Sequence, residues 1–420
     1  MKYQKIYPSF IEKIKEQPEK QRVIISFKNL SDRKKFISKN KKLKIIKKFN
    51  LIPSINVSLT KEQILTYDKE KLIKQIEEDQ QLYLSMLDVM EILGLNDYKA
   101  SQISFTGRNV NLGILDVGIN NNFPSISNIN IIHQKLDNSK KEITFKKEEH
   151  EVSHGTIMAS IISNQFKNSD ENLIGIAPHV KIHDFNVSNS KDKYYFSHIL
   201  EFFDIIVKEK VMIEVLLISF ITSSPSDGKD ILSLSCNALA DKGIIIVSPA
   251  GNFGPETQSI GSPGAAKKVI TFGTLEKELT IPEFSGRGPT LDERIKPDFL
   301  LPGSKIDVPL SQNFRVSVTG TSVSASLGAG IIALIKEYDP TVSYDEIIKL
   351  LEKSSIDLDY DNNAQGYGTL NLPRIFKTLD LYQEKKVPYN NLVKNSLKYS
   401  IEFLIILILL FYFFYFFRIS

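Results

Sequence analysis

Residues 111–119, NLGILDVGI, and residues 154–165, HGTIMASIISNQ, decide the architecture. The first runs from an apolar stretch into Asp116 and a glycine turn, as a buried strand does at its end. The second has a helical pattern and opens on His154. The alternation then repeats. KIHDFNV (181–187) precedes SHILEFFDIIVKEK (197–210), IEVLLISF (213–220) precedes DILSLSCNALADKG (230–243), and GIIIVSPAG (243–251) leads on to KKVITFGTL (267–275). Val/Ile-rich strands separated by helices predict an α/β fold with a doubly wound, mainly parallel sheet covered on both faces. Such sheets display their working groups beyond the carboxyl ends of the strands.

Composition agrees with a globular chain. Of the 420 residues, 42% are hydrophobic and 24% charged, and the net charge of +4 gives no reason to expect nucleic acid as a partner. Cys236 is the single cysteine, which excludes an intrachain disulfide and a cysteine-built zinc cluster; its apolar helical setting predicts core packing.

Before the α/β region, residues 1–85 read as a small α+β unit. RVIISF (22–27) is a strand, SDRKKFISKN (31–40) a helix capped by Ser31, and KIIKKFNLIPSINVSL (44–59) a strand–turn–strand. TKEQILTYDKE (60–70) is a helix opened by Thr60, and KLIKQIEEDQQLYL (71–84) a last strand. Residues 1–50 hold 16 Lys/Arg against 4 Asp/Glu, read as a solvated face. Asn122–Glu151 reads as an exposed polar insertion. Residues 86–378 are the large domain and 379–398 a polar tether. Tyr399–Phe417, 19 residues with Glu402 as the one charge, are expected to form a transmembrane helix in the lipid bilayer. Lys385, Lys386, Lys394 and Lys398 precede it and Arg418 follows, so the positive-inside bias leans the large domain towards the cytoplasm. The N-terminus, without an apolar run of the signal-peptide kind, leans the same way.

Four residues fall where the sheet would display them. Asp116 ends a strand, His154 begins a helix, and Asn252 follows the strand GIIIVSPA. Ser322 lies in TGTSVSAS (319–326), at the start of a small-residue helix. A serine hydroxyl becomes a nucleophile when an imidazole takes its proton, and the imidazole needs a carboxylate to fix its tautomer. An amide and a helix-N-terminal N–H can then hold the oxyanion. The order Asp, His, Ser is one of three in which this triad occurs.

GILDVGI (113–119), SHGTIMAS (153–160), VSPAGNFG (247–254) and TGTSVSAS resemble the four motifs of the subtilisin-like serine proteases, peptidase family S8. GIAPHVKI (175–182), GSPGAAKKVIT (261–271), FSGRGPTLDERIKPDFLLPG (284–303) and GYGTLNL (366–372) agree, and the likeness covers about Met90–Leu379. FNLIPSINVSLTKEQI (49–64) and IEEDQQL (76–82) resemble the inhibitory prodomain of these enzymes, which implies a zymogen whose own prodomain is a partner. The resemblance implies a serine endopeptidase: Asp116 orients His154, His154 is general base and acid, Ser322 attacks, and Asn252 binds the oxyanion. A protein or peptide substrate would bind along Ser219, Phe220, Ile221 and Thr222 on one side and Ser248, Pro249, Ala250 and Gly251 on the other.

No metal or other cofactor is required for this chemistry. Calcium is bound by many relatives, but Asp357–Asn363 lacks ligand spacing and does not indicate it. His133, His150, His179, His183 and His198 have no partner at metal-ligand spacing and are expected on surfaces or loops. Three positions depart from the family pattern. Val117 replaces a hydroxyl residue, Ser326 replaces a proline and is expected to loosen the helix start, and Leu217 and Ile221 replace a polar residue and a glycine. Ile221 is expected to narrow or block the pocket beside the scissile bond. These departures leave two rival readings: an inactive relative serving as a membrane-tethered binding or regulatory module, and a processing enzyme with few substrates.

Overall fold

The computed structural model describes residues 5–8, 10–11, 14, 20–79, 81–82, 105–134, 152–165, 175–187, 194–276, 278–311 and 313–379. The expected tether at 379–398, the span at 399–417 and the boundary between 85 and 86 lie, apart from Leu379, outside them. Among the described residues no helix is long and apolar enough to cross a membrane.

The N-terminal unit comprises β1 (Gln21–Phe27), α1 (Leu30–Lys39), β2 (Ile45–Phe49), β3 (Ser54–Leu59), α2 (Lys61–Tyr67) and β4 (Ile73–Glu78). The strands form an antiparallel sheet in the order β2-β3-β1-β4. Strand alternation divides the burial. Val23, Ile25 and Phe27 enter a core with Phe36 of α1 and Ile64 of α2, while Ile24 faces away and joins the large domain's apolar cluster with Phe49. Thr60 caps α2 in a reciprocal capping box with Gln63. The cap of α1 is not Ser31: the helix starts at Leu30, and Asn29 Oδ1 accepts the Asp32 amide at 2.9 Å.

The large domain is built on β6 (Asn111–Asp116), β7 (Ile131–Gln134), α3 (His154–Ser163), β8 (Lys181–Asn186), α4 (Phe196–Lys208), β10 (Val215–Ile218), α5 (Ile231–Ala240), β11 (Ile245–Pro249), β12 (Val269–Leu275), β13 (Phe299–Pro302) and α6 (Thr321–Tyr338). Two short strands, β5 (Gln81–Leu82) and β9 (Tyr194–Tyr195), pair antiparallel with each other. The seven-stranded sheet runs β13-β12-β11-β10-β6-β8-β7, and its recorded neighbours are parallel. The order reverses direction at β6, the crevice position favoured for ligands in such sheets.

Strand residues alternate strictly between two cores. Leu112, Ile114, Val215 and Leu217 pack with α3 and α6; Leu115, Leu216 and Ile218 pack with α4 and α5. Ile331, Ile332, Leu334 and Ile335 of α6 are buried, each side chain contributing about 1.5–3 kcal/mol.

Asn122–Glu151 is not wholly an exposed insertion. Phe123, Ile126 and Ile129 are buried in the main core and β7 joins the sheet edge, while residues 135–151 lie outside the described set. Apolar residues three apart in irregular backbone carry neither a helical nor a strand period, which hides their burial from pattern reading.

Candidate active site

Asp116 is the last residue of β6 and fully buried. Its Oδ1 accepts the Val117 amide at 2.7 Å, and its Oδ2 lies 2.8 Å from His154 Nδ1. His154 is the first residue of α3, behind the N-cap Ser153, whose hydroxyl oxygen accepts the Thr156 amide. Gly155 has a steric reason: a β-carbon there would stand 2.5 Å from the Gly118 carbonyl and 3.2 Å from Asp116 Cβ. Only glycine lets α3 approach the aspartate this closely. Two further bonds tie the segments together, Ser153 Oγ donating to the Gly118 carbonyl at 2.6 Å and the Asn120 amide donating to Thr156 Oγ1 at 2.8 Å.

His154 Nε2 lies 3.1 Å from Ser322 Oγ. With Nδ1–H donating to Asp116, Nε2 is the bare nitrogen and accepts a hydrogen bond from the Ser322 hydroxyl. Ser322 is the second residue of α6, where the helix N–H groups are unpaired within the helix and the macrodipole is positive. Ser326 does not loosen the helix start. Its hydroxyl donates back to the Ser322 carbonyl at 2.9 Å, and α6 runs unbroken from Thr321 to Tyr338.

Asn252 follows the C-terminal end of β11. Its Oδ1 accepts from the Thr321 amide at 3.0 Å and from Thr321 Oγ1 at 2.8 Å, so the amide's donor end turns away from Thr321. Thr321 Oγ1 also accepts the Gly251 amide at 3.1 Å. Thr321, which the sequence reading missed, thus locks the asparagine to the residue next to Ser322; its place in the TGTS motif was the available signal.

The expected substrate-binding positions divide. Ile221 is buried and lies between two glycines. A β-carbon on Gly251 would stand 3.2 Å from Ile221 Cδ1, and one on Gly261 3.1 Å from Ile221 Cγ1. Thr222 donates its amide to the Ser262 carbonyl and its hydroxyl accepts the Ser262 amide, both at 2.9 Å, closing the strand behind Ile221. The Phe220 ring lies 5.7 Å from that of Tyr194, and Ser219 is buried. Ser248, Pro249 and Ala250 are buried at the end of β11, with the Ala250 amide donating to the Phe272 carbonyl at 2.8 Å. Leu217 is core.

The N-terminal unit meets the large domain through carboxylates at helix starts. Glu77 Oε2 accepts the Ile231 amide of α5 at 2.7 Å, and Asp79 Oδ1 accepts the Ser197 amide of α4 at 3.1 Å. Both contacts place a carboxyl oxygen against the unpaired N–H groups of a helix start. Asp79 also pairs with Arg22, and Asp204 of α4 accepts the amides of Asn50 and Leu51. Burial, followed by the nearby Asp230, pushes the Glu77 carboxyl well above the usual carboxylate range.

The histidines are not uniformly on the surface. His179 and His133 are exposed, the latter paired with Asp184, but His183 is buried on β8, where burial lowers it to about 4, and His198 is half-buried within α4. His150 lies outside the described residues. Cys236 is buried, as its setting predicted. The Asp357 and Asp361 carboxylates serve their own loop: Asp357 accepts from the Asp359 amide and Gln365, and Asp361 caps Asn362–Gln365.

Residues 107–368 match the profile of the subtilase family. The serine protease AprX of Bacillus subtilis is 26% identical over 383 residues, covering 80% of this chain and 81% of that protein. The major intracellular serine protease of the same organism is 27% identical, covering 68% of this chain and 90% of the relative. The human membrane-bound transcription factor site-1 protease is 27% identical over 67% of this chain, which spans only 26% of that longer protein.

Proposed function

The chain belongs to the subtilase family of serine endopeptidases, and from that premise we propose that Asp116, His154 and Ser322 cut peptide bonds in a membrane-anchored enzyme made as a zymogen. The observation that carries this reading is the continuous chain Asp116–His154–Ser322, with contacts of 2.8 and 3.1 Å. In it, His154 takes the Ser322 proton as Oγ attacks the scissile carbonyl, and Asp116 holds the imidazole and balances its charge. Asn252 Nδ2 and the Ser322 backbone N–H receive the oxyanion; His154 then protonates the leaving amine, and water repeats the sequence on the acyl-enzyme.

Residues up to about 85 act as the inhibitory prodomain. Support comes from Glu77 and Asp79 at two helix starts and from Gln81–Leu82, which add a strand to Tyr194–Tyr195. That strand runs out of the N-terminal unit along the large domain, as a cleavable tail would. Membrane anchoring rests on the apolar Tyr399–Phe417 run, and a cytoplasmic large domain on the lysines before it. Protease digestion of intact against permeabilised cells tests that side; digestion of the large domain in intact cells would reverse it.

Ile221 favours a narrow enzyme over a general one, because it fills the space between Gly251 and Gly261. The residue preceding the cut is then small. Comparing intact masses of the wild-type chain and Ser322→Ala tests the central reading. Loss of the first 80–90 residues by the wild type alone supports it. Retention by both, together with no labelling of Ser322 by a fluorophosphonate after limited trypsin treatment, would replace it with the non-catalytic binding module.

A further inference from the structure

Beside the three residues lies a second imidazole–carboxylate pair. Asp184 on β8 is 1% exposed, and its Oδ2 both meets Nδ1 of His133 at 2.7 Å and accepts the Ile119 amide at 3.2 Å. Its Oδ1 has no hydrogen-bond partner among the described residues. Strand register produces the pair: Asp184 stands opposite His133 on β7 and Ile114 on β6.

Ile119 lies in the short segment that leaves Asp116. Gly118 and Asn120 of that segment are bound to Ser153 and Thr156, which flank His154 on α3. Asp184 holds the residue between them from the neighbouring strand. The segment also begins with the Val117 amide that donates to Asp116 Oδ1, and Val117 has no hydroxyl with which to add a second bond. A shift of Ile119 is therefore passed to a donor on Asp116 itself.

We infer that Asp184, drawn into place by His133, is a positioning residue for the reaction, fixing the Asp116 segment against the His154 helix. The inference rests on the reading that Asp116, His154 and Ser322 form the triad. An aliphatic side chain would fill a buried strand position without a counterion, whereas a buried carboxylate with one unpaired oxygen is unfavourable unless a charge or donor compensates it. His133 and the Ile119 amide supply that compensation. Among the described residues, the charged groups acting on Asp184 are His133 from β7 and Asp116 from β6. On its own strand, His183 bonds instead to Asn111 Oδ1 at 3.3 Å. Burial raises the Asp184 carboxyl, the His133 contact opposes this, and Asp116 adds to it.

The test uses the full chain after removal of its first 80–90 residues by self-cleavage or limited trypsin, with the rate of fluorophosphonate labelling of Ser322 followed across pH. Asp184→Ala releases Ile119 and is expected to slow labelling by about tenfold or more, since small misplacements are amplified in the reaction rate. Asp184→Asn keeps an acceptor for Ile119 but removes a negative charge near Asp116. It should slow labelling less and move the acid limb of the profile to lower pH, a change that loss of packing alone would not give. His133→Gln, at a half-exposed edge position, should slow labelling without unfolding the chain. Asp241→Asn, a surface carboxylate paired with Lys268, serves as the control and should leave rate and profile unchanged. Unchanged rates and profiles in both Asp184→Asn and His133→Gln would overturn the inference alone, whatever the folding of Asp184→Ala. Absence of labelling in the wild type would overturn the triad reading and this inference with it.

Discussion

Glu77, at the end of β4, accepts the amide of Ile231, the first residue of α5, at 2.7 Å across the boundary between the two units. Asp230, the residue capping that helix, already accepts the Ser233 amide at 2.8 Å. Two carboxylates thus share one helix start, and the Glu77 carboxyl rises well above its ordinary range, through burial first and Asp230 second. A carboxyl raised on docking favours the docked state fully below its undocked value. That contribution is lost as pH climbs through the docked value. Retention of the cleaved N-terminal fragment should therefore be stronger at pH 5 than at pH 8, by up to about tenfold per pH unit across the window. Glu77→Gln, with an acceptor but no charge, should flatten the dependence. Co-purification of the fragment at the two pH values measures this, and equal retention by the wild type would contradict it.

Asn252 and Thr321 make a graded pair for the oxyanion. Asn252→Ala is expected to lower kcat by about 10²–10³ with little change in KM, a magnitude taken from the equivalent experiment on a subtilisin. Thr321→Val keeps the backbone amide bond to Asn252 Oδ1 but loses the hydroxyl that donates to it and accepts from Gly251. It should lower kcat by a smaller factor. A loss in Thr321→Val as large as that in Asn252→Ala would mean that Thr321 does more than hold the amide. Steady-state kinetics on one peptide substrate separates the cases.

Lys296 offers a test of stability away from the site. Its side chain is buried, and Nζ donates to the Val269 carbonyl at 2.7 Å, to Thr271 Oγ1 at 3.2 Å and to Asp298. Lys296→Met removes the cation and leaves the half-buried Asp298 carboxylate with the Thr271 amide, at 2.7 Å, as a neutral donor. Breaking such a pair costs about 3–5 kcal/mol, or a fall in Tm of about 10 °C for a domain of this size. Thermal melting monitored by circular dichroism checks it. The Lys296→Met/Asp298→Asn double variant, which removes the charge but keeps an acceptor for the Thr271 amide, should recover part of the loss.

What could be read in the chain follows a physical divide. An unbroken apolar strand must be covered on both faces, so the two-core arrangement built by Leu112, Ile114 and Leu115 was legible, as was the helix opened by Thr60. The grouping of Asp116, His154 and Ser322, which the structure joins in one hydrogen-bonded chain, was legible because each sits at the end of a regular element with a recognisable motif. Caps were less so: NLSD holds three side chains of the capping type, and backbone geometry rather than composition selects Asn29 over Ser31. Contacts between distant positions were not legible at all. His133 and Asp184 lie 51 residues apart and meet through strand register, which no spacing rule within one helix or loop detects. The bond from Thr321 to Asn252 joins residues 69 apart for the same reason.

Ile221 carries the most direct consequence for substrate choice. Its side chain packs against Gly251 and Gly261, and Gly251 adjoins Asn252, so the space it fills borders the expected oxyanion site. On the proposed reading, a substrate carbonyl held between Ser322 Oγ and Asn252 Nδ2 would carry its own side chain towards this wall and leave room for a small group. Ile221→Gly should open the space, raising kcat/KM for peptides with a large residue before the cut by about 10–200-fold, the range set by losing or gaining a small apolar volume in a pocket. Peptides with glycine or alanine there should change little. The substitution removes a buried aliphatic side chain and is expected to lower stability by about 2–5 kcal/mol, so profiling belongs well below the melting transition. A peptide library cleaved by both forms gives the answer directly. If the wild type already accepts phenylalanine or leucine before the cut, Ile221 does not line the pocket, and the narrow-enzyme reading falls while the triad stands.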